Sequence, residues 1–263
     1  MNLWKDIHES AKRSLVTYTR IPLSVDWSMT APRFPSVACL PWVGVMVGLI
    51  SAWPLMIDVL GVELQVLLMM LTAVLVTGAF HEDGLMDAAD GLVGGWTIEK
   101  RLEIMKDSRI GSYASVAIWF ALALKFFLLL RIFNESNSLL WPFSIWLIVH
   151  SGARMLPLLV MRKLSYVSSG TSKASSMIHT LSVQQLIVAG VPCMVFSLIT
   201  FGLVGVIAVA LLIFILTLLM IVYLSKKLQG FNGDTLGASE QIAEVALLFL
   251  SLCLIVFFQS IEF

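Results

Sequence analysis

Charge is what this sequence has least of. Asp, Glu, Lys and Arg make up 13% of its 263 residues, against about a quarter of an ordinary globular chain. With 59% hydrophobic residues and a mean hydropathy of +0.92, that scarcity excludes a soluble domain of the usual kind. The few charges balance to net zero and form no basic stripe, so nucleic acid is not an expected partner. Cysteine is also scarce. Cys39, Cys193 and Cys253 are scattered through apolar segments, with no CxxC pair and no disulfide framework. The first thirty-odd residues hold no signal-peptide core, and no internal repeat or low-complexity tract occurs. Walker, GxSxG, HExxH and GxGxxG contexts are missing, which removes local support for those reaction classes.

Long apolar runs are what the chain does have. They cover about residues 37–57, 62–80, 113–131, 139–161, 184–202, 203–224 and 241–260, each near the roughly 20 residues needed to cross a bilayer. The expected fold is all-α, a polytopic helical bundle with about seven transmembrane helices. Residues 185–224 are too long for one span, and Phe201-Gly202 is the expected turn between two. Residues 1–20 read as an amphipathic helix lying in the interface, with Leu3, Trp4, Ile7, Ala11 and Leu15 on one face. A helix packed on the cytoplasmic loops is the alternative. Pro22, Pro32 and Pro35 follow it.

Basic residues orient the bundle. Fourteen of the seventeen, from Lys5, Lys12, Arg13, Arg20 and Arg33 through Lys173 to Lys226 and Lys227, fall in segments on one side of a seven-span layout. That side is cytoplasmic by the positive-inside rule, which leaves the C-terminus outside. The expectation is one membrane-embedded domain over 1–263, with an interfacial arm at 1–36 and catalytic segments at 81–112 and 225–240.

The conspicuous polar stretch is His81 to Gly91. On a helix Asp83, Asp87 and Asp90 are four and three residues apart and project from one face. Three carboxylates so placed repel unless a divalent cation sits among them, and Mg²⁺ commonly combines carboxylates with substrate phosphate. Favourable interaction of acids with a helix start explains Glu82 and Asp83 but not Asp87 and Asp90. Gly84 and Gly91 allow close approach, and Gly94-Gly95 should end the helix. Thr97 to Lys106 reads as a short amphipathic helix. Beyond it, Lys106 and Arg109 can present positive charge to a diphosphate, or simply anchor the loop.

A second polar island, Leu228 to Ala238, has the glycines, Asn and Asp of a tight turn able to cradle an anion. Glu240 and Glu244 follow it into a span. A helix start capped by Asp234, with Glu240 in water, explains everything there except Glu244. His150 and Arg154 share a helix face inside a span and should make an intrabundle contact. Lys125 is expected to snorkel, while His8 and His179 carry no assigned role.

Taken together, these stretches resemble the cobalamin synthase family, the adenosylcobinamide-GDP ribazoletransferases. The resemblance rests on Tyr18-Thr19-Arg20-Ile21-Pro22, Phe34-Pro35 with Pro41-Trp42-Val43-Gly44, His81 to Gly91, Met105 to Gly111, and Gly233 to Ala238 with Glu244. Met86, Ala88 and Phe231-Asn232 depart from the family's pattern and alter the pocket lining. The resemblance implies a Mg²⁺-dependent last step of cobalamin nucleotide-loop assembly in a bacterial or archaeal inner membrane. The 3′-hydroxyl of α-ribazole, or of its 5′-phosphate, would attack the cobinamide-bound phosphorus of adenosylcobinamide-GDP, releasing GMP. Corrinoid and nucleoside substrates and the lipid bilayer are the implied partners. Homo-oligomerisation and association with other corrinoid-assembly enzymes are left open.

The implied metal ligands are Asp83, Asp87, Asp90 and Asp234. Lys106, Arg109, Gly233, Asp234 and Glu244 are assigned to phosphate and substrate, and Glu82 and Asp107 steady the ligands from behind. Either His81 or Asp90 would accept the hydroxyl proton. Two rivals remain at this stage. A CDP-alcohol phosphotransferase matches Asp87-Ala88-Ala89-Asp90-Gly91, but Gly94-Gly95 stands where that family has Ala-Arg and the later aspartates are missing. A cation transporter would place its acids nearer mid-membrane.

Overall fold

The computed structural model describes residues 3–27, 34–168 and 181–261, and within them the fold is helical throughout. Arg33, Lys173 and His179 lie outside the described residues. Six helical stretches among the described residues are long and apolar enough to cross a membrane. They are residues 36–56 (containing α2, Leu40–Ser51), 58–77 (containing α3, Gly61–Thr77), α6 (Ser112–Glu135), residues 140–163 (α7, Leu140–Ala153, and α8, Met155–Lys163), α9 (Val183–Lys227) and α10 (Gly233–Ile261). Between the spans lie α4 (Phe80–Gly94) and the short α5 (Ile98–Ile104), and α1 (Leu3–Tyr18) precedes them.

At 45 residues α9 would be about 67 Å long, twice the hydrocarbon thickness. It is two helices. Gly202 adopts φ 64°, ψ −158° within it, a conformation that suits only glycine. A Cβ added at Gly205 would lie 3.0 Å from the carbonyl oxygen of Ser197, whereas residues eight apart in a straight helix are separated by about 12 Å. The chain therefore folds back at Gly202, at the turn expected from sequence, which divides the longest of the six apolar helical stretches in two.

Pro192 lies inside the first half of α9 and has no N–H to offer the carbonyl of Val188. The indole Nε1 of Trp42 donates to that oxygen instead, at 3.0 Å. In hydrocarbon an unmet carbonyl costs several kcal/mol, roughly, so Trp42 repairs the proline's gap. Two residues on, Gly44 lets α2 meet the backbone of α7, since an added Cβ would run into the carbonyl of His150.

The N-terminal helix has an inverted arrangement. Its buried positions are polar (Asp6, Ser10, Arg13 and Ser14), while Trp4 is 76% exposed. Ser10 donates to the carbonyl of Phe34 and Arg13 pairs with Glu9. A helix that turns polar groups inward and an indole outward suits the interface expected from its sequence.

The arm then clamps the corner between α3 and α4. The amide of Arg20 donates to the carbonyl of Val76 at 2.7 Å. Gly78 packs directly on the Arg20 side chain, leaving no room for a Cβ. Gly78 and Ala79 are both left-handed, with φ 68° and 59°. For alanine that conformation costs roughly 1–2 kcal/mol, and it turns α4 away from the line of α3.

Candidate active site

The site is set by a backbone-to-backbone contact between α4 and α10. A Cβ on Gly84 would stand 3.0 Å from the carbonyl of Asp234 and 3.1 Å from the Cα of Gly237. On Gly237 it would meet the Cα of Gly84 and the carbonyl of His81, both at 3.2 Å. The glycines thus bring the acidic face of α4 beside the start of α10. Asp234 lies within electrostatic reach of Asp83, Asp87 and Lys106. Asp83 is exposed and Asp87 half-buried, and among the described residues neither has an ion-pair partner. Partial burial, with the charges of Asp83 and Asp90 close by, pushes the Asp87 carboxyl up to about 6.

Asp90 shares the face but is differently engaged. Its two carboxylate oxygens accept from the amides of Gly111 and Ala114, at 2.7 and 3.0 Å. It caps the N-terminus of α6 across a gap of twenty-one residues. Gly111 is required there, because a Cβ would come within 2.5 Å of the Asp90 carboxylate. This ties the end of the Met105 to Gly111 motif to the aspartate run.

His81 points the other way. Two residues separate it from Asp83, about 200° around a helix, and it is 4% exposed on the side facing α10. The structure therefore does not bring His81 and Asp90 to the same place.

The cap of α10 is Asn232, not Asp234 as the simpler reading of the sequence had it. The Asn232 side-chain oxygen accepts from the Thr235 amide at 2.9 Å, and the Asn232 amide donates to the Thr235 hydroxyl at 3.0 Å. Its Nδ2 steadies Asp234 at 2.8 Å. Segment 165–167 pairs with Phe231 through two backbone hydrogen bonds, Val167 N to Phe231 O and Phe231 N to Ser165 O. A cavity of about 380 Å³ opens here, lined by Lys106, Asn232, Gly233, Asp234 and Tyr166 among others. No heavy atom would lie within 4 Å of a Cβ on Gly233, so that backbone faces open space.

Arg109 is elsewhere. Its guanidinium donates to both Asp107 oxygens, the shorter bond 2.6 Å, and holds the Asp107 carboxyl down at about 2. Lys106 thus meets the Asp234 cavity, while Arg109 and Asp107 form an exposed pair of their own.

Beneath the site lies a buried charge cluster that the sequence did not disclose. Glu244 contacts Lys125 Nζ at 2.5 Å and His150 Nδ1 at 3.1 Å, and Glu240 lies 3.0 Å from Arg154 Nη1 and 3.1 Å from His81 Nδ1. Gln241 receives a hydrogen bond from Lys125 and donates to Glu240 and Glu82. The expectation for Lys125 is overturned: it is 4% exposed and paired inward, because carboxylate and amide partners make burial cheaper than reaching for water. Glu240, which the simpler reading of the sequence had in water, has no exposed surface at all. The His150 and Arg154 contact within the bundle is as expected, and Arg154 also donates to the carbonyl of His150. Glu244 serves this cluster rather than the Asp234 cavity.

Residues 11–252 match the family model described as cobalamin-5-phosphate synthase. The chain belongs to that family. Among curated relatives, an adenosylcobinamide-GDP ribazoletransferase of Shewanella pealeana is 37% identical over 247 residues, covering 90% of this chain and 92% of the relative. One from Shewanella baltica is 39% identical over 219 residues, 80% of each chain. One from Vibrio cholerae is 34% identical over 233 residues, 87% of each. No solved structure matches. The Gly84–Gly237 contact joins two stretches that lie far apart in sequence, both within the matched residues.

The resemblance implies Mg²⁺ at this site. Among the described residues, no three His, Cys, Asp or Glu side chains close to metal-holding geometry. Asp83, Asp87 and Asp234 nevertheless supply hard oxygens that repel one another. Mg²⁺ typically takes one or two carboxylates and completes its shell with water and substrate phosphate. The set fits on those terms.

Proposed function

We propose that this chain joins adenosylcobinamide-GDP to α-ribazole, or to its 5′-phosphate, giving adenosylcobalamin or its phosphate and GMP. One observation supports this above the rest. The acidic face of α4 meets Asp234 across glycine backbones, beside a cavity that also presents Lys106. Acid and base surround a space suited to a diphosphate.

We assign Asp83, Asp87 and Asp234 to Mg²⁺, which when bound would offset phosphate charge. The chain's own residues do the rest. Lys106 and the open backbone at Gly233 receive phosphate oxygens. Arg109 joins them by leaving Asp107, an exposed pair with little to lose in water. Neither candidate for the proton on the attacking hydroxyl stands free: amides occupy the oxygens of Asp90, and the Nδ1 of buried His81 lies 3.1 Å from Glu240. The displacement needs alignment more than covalent chemistry. The distribution of basic residues supports a site facing the cytoplasm, in a bacterial inner membrane.

The test is GMP release by purified, detergent-solubilised protein given adenosylcobinamide-GDP, α-ribazole and Mg²⁺. Corrinoid product from the parent protein, lost in Asp87→Asn, supports the proposal. A parent protein that makes no corrinoid product sinks it.

A further inference from the structure

A second cavity, of about 200 Å³, lies beside the polar one and shares Tyr166 and Gly233 with it. Its character is different. Two edge-to-face aromatic pairs border it: Tyr18 with Phe80, ring centroids 5.6 Å apart, and Tyr166 with Phe231, 5.7 Å apart. Leu40 and Leu236 add aliphatic surface, and His81 completes a wall. The hydroxyl of Thr17 also borders it, but its proton is already given to the carbonyl of Arg13 at 2.7 Å.

Size and lining narrow the occupant. Drug-sized ligands occupy cavities of roughly 300–1,000 Å³, so this one is too small for a corrin macrocycle and suits a single flat ring system. Aromatic walls favour a flat π-system. Ser36, His81 and the two tyrosines bring a few further polar atoms to a mainly apolar lining, so a base rich in amino and carbonyl groups would shed more water here than it regains in partners.

Resting on the function proposed above, the geometry points to this slot as the seat of the nucleoside's aromatic base, with fused bicyclic, weakly polar rings favoured over purines. With its base there, the nucleoside has its ribose at the Gly233 and Tyr166 junction, where apolar slot gives way to phosphate cavity. His81 borders the base end of that path. Phe80, which packs edge-on to both Tyr18 and His81, is a specificity residue, and Thr17 marks the wall of the slot.

Steady-state kinetics on Thr17→Trp, which fills the slot, and Phe80→Ala, which strips its wall at a half-exposed position, test this. The KM for α-ribazole should rise about tenfold in each, with kcat and the KM for adenosylcobinamide-GDP held within about twofold. Phe80→Tyr should restore the parent value. An α-riboside of adenine should show a KM at least about tenfold higher than α-ribazole in the parent protein. Both KM values moving together, or neither moving, overturns the assignment.

Equilibrium dialysis of free 5,6-dimethylbenzimidazole against the parent protein and Thr17→Trp separates the slot from the reaction. Binding lost in Thr17→Trp supports the slot even if no GMP is ever released, which would sink only the reaction. Binding that Thr17→Trp leaves intact lies outside the slot and overturns the assignment.

Discussion

Two acidic groups on helices that touch at Gly84 and Gly237 behave in opposite ways. The carboxylates of α10, Glu240 and Glu244, are sealed in the bundle and compensated by Lys125 and Arg154, with His81 and His150 in contact. Those of α4, Asp83 and Asp87, stand at the water's edge without a cation among the described residues. Buried charge survives only when its partners are built in. Charge left uncompensated at an edge is available to something that arrives. The first group ties helices together, and the second is left open to whatever binds at the surface.

Removing one partner from the sealed group should do the most damage. Lys125→Met leaves Glu244 with His150 at 3.1 Å and Arg154 at 3.8 Å, and loss of a partner from a buried pair costs about 3–5 kcal/mol. Thermal unfolding in detergent should show a markedly lower midpoint. An unchanged midpoint would mean that the cluster does not hold the bundle.

Asp87→Asn should invert that pattern, with GMP release falling about a hundredfold or more while the fold keeps its stability. The pH dependence follows from the raised Asp87 pKa. Because the folded chain holds this proton up to about 6, rather than losing it near the usual 3.8, metal-free stability should fall as pH rises through that window. Asp87→Asn should flatten this slope, and added Mg²⁺ should stabilise the parent above pH 6 more than below it, in melting curves recorded across the range. A variant melting with the parent's slope would exclude Asp87 as its source.

Asp90→Ala sits between the two groups. It removes a cap and should cost about 1 kcal/mol, and amide exchange should quicken selectively at Gly111 and Ala114. Uniform exchange would contradict the capping role. The smallest effect is expected at Arg109→Ala, where the lost partner is the partly exposed Asp107 and Arg109 itself stands in water, so the melting midpoint should not move. A clear drop there would show that the exposed pair is structural.

The two groups also differ in how far the sequence disclosed them. The aspartate face was legible because its members are four and three residues apart, a spacing the helix itself converts to proximity. The fold-back at Gly202 was legible because no bilayer accommodates a 40-residue apolar run. Lys125 was misplaced because its partners, Gln241 and Glu244, lie 116 and 119 residues away in the chain. A lone lysine in an apolar run looks the same whether it reaches for water or for a carboxylate. Asp90 misled in another way: composition marks a carboxylate but does not say that the amides of Gly111 and Ala114 will occupy it. The capping of α10 by Asn232 required knowing where the helix begins, which Gly233 and the paired segment at Tyr166 decide.

The touching backbones of Gly84 and Gly237 act as a hard stop. Side chains between two helices behave like springs, giving way as lipids, temperature or neighbouring substitutions change. Here there is no spring, so the gap between the α4 carboxylates and Asp234 is fixed by atoms that every amino acid carries. Natural variation in the surrounding membrane helices can therefore accumulate without changing that gap, and any retuning for a different substrate has to occur in the walls around it.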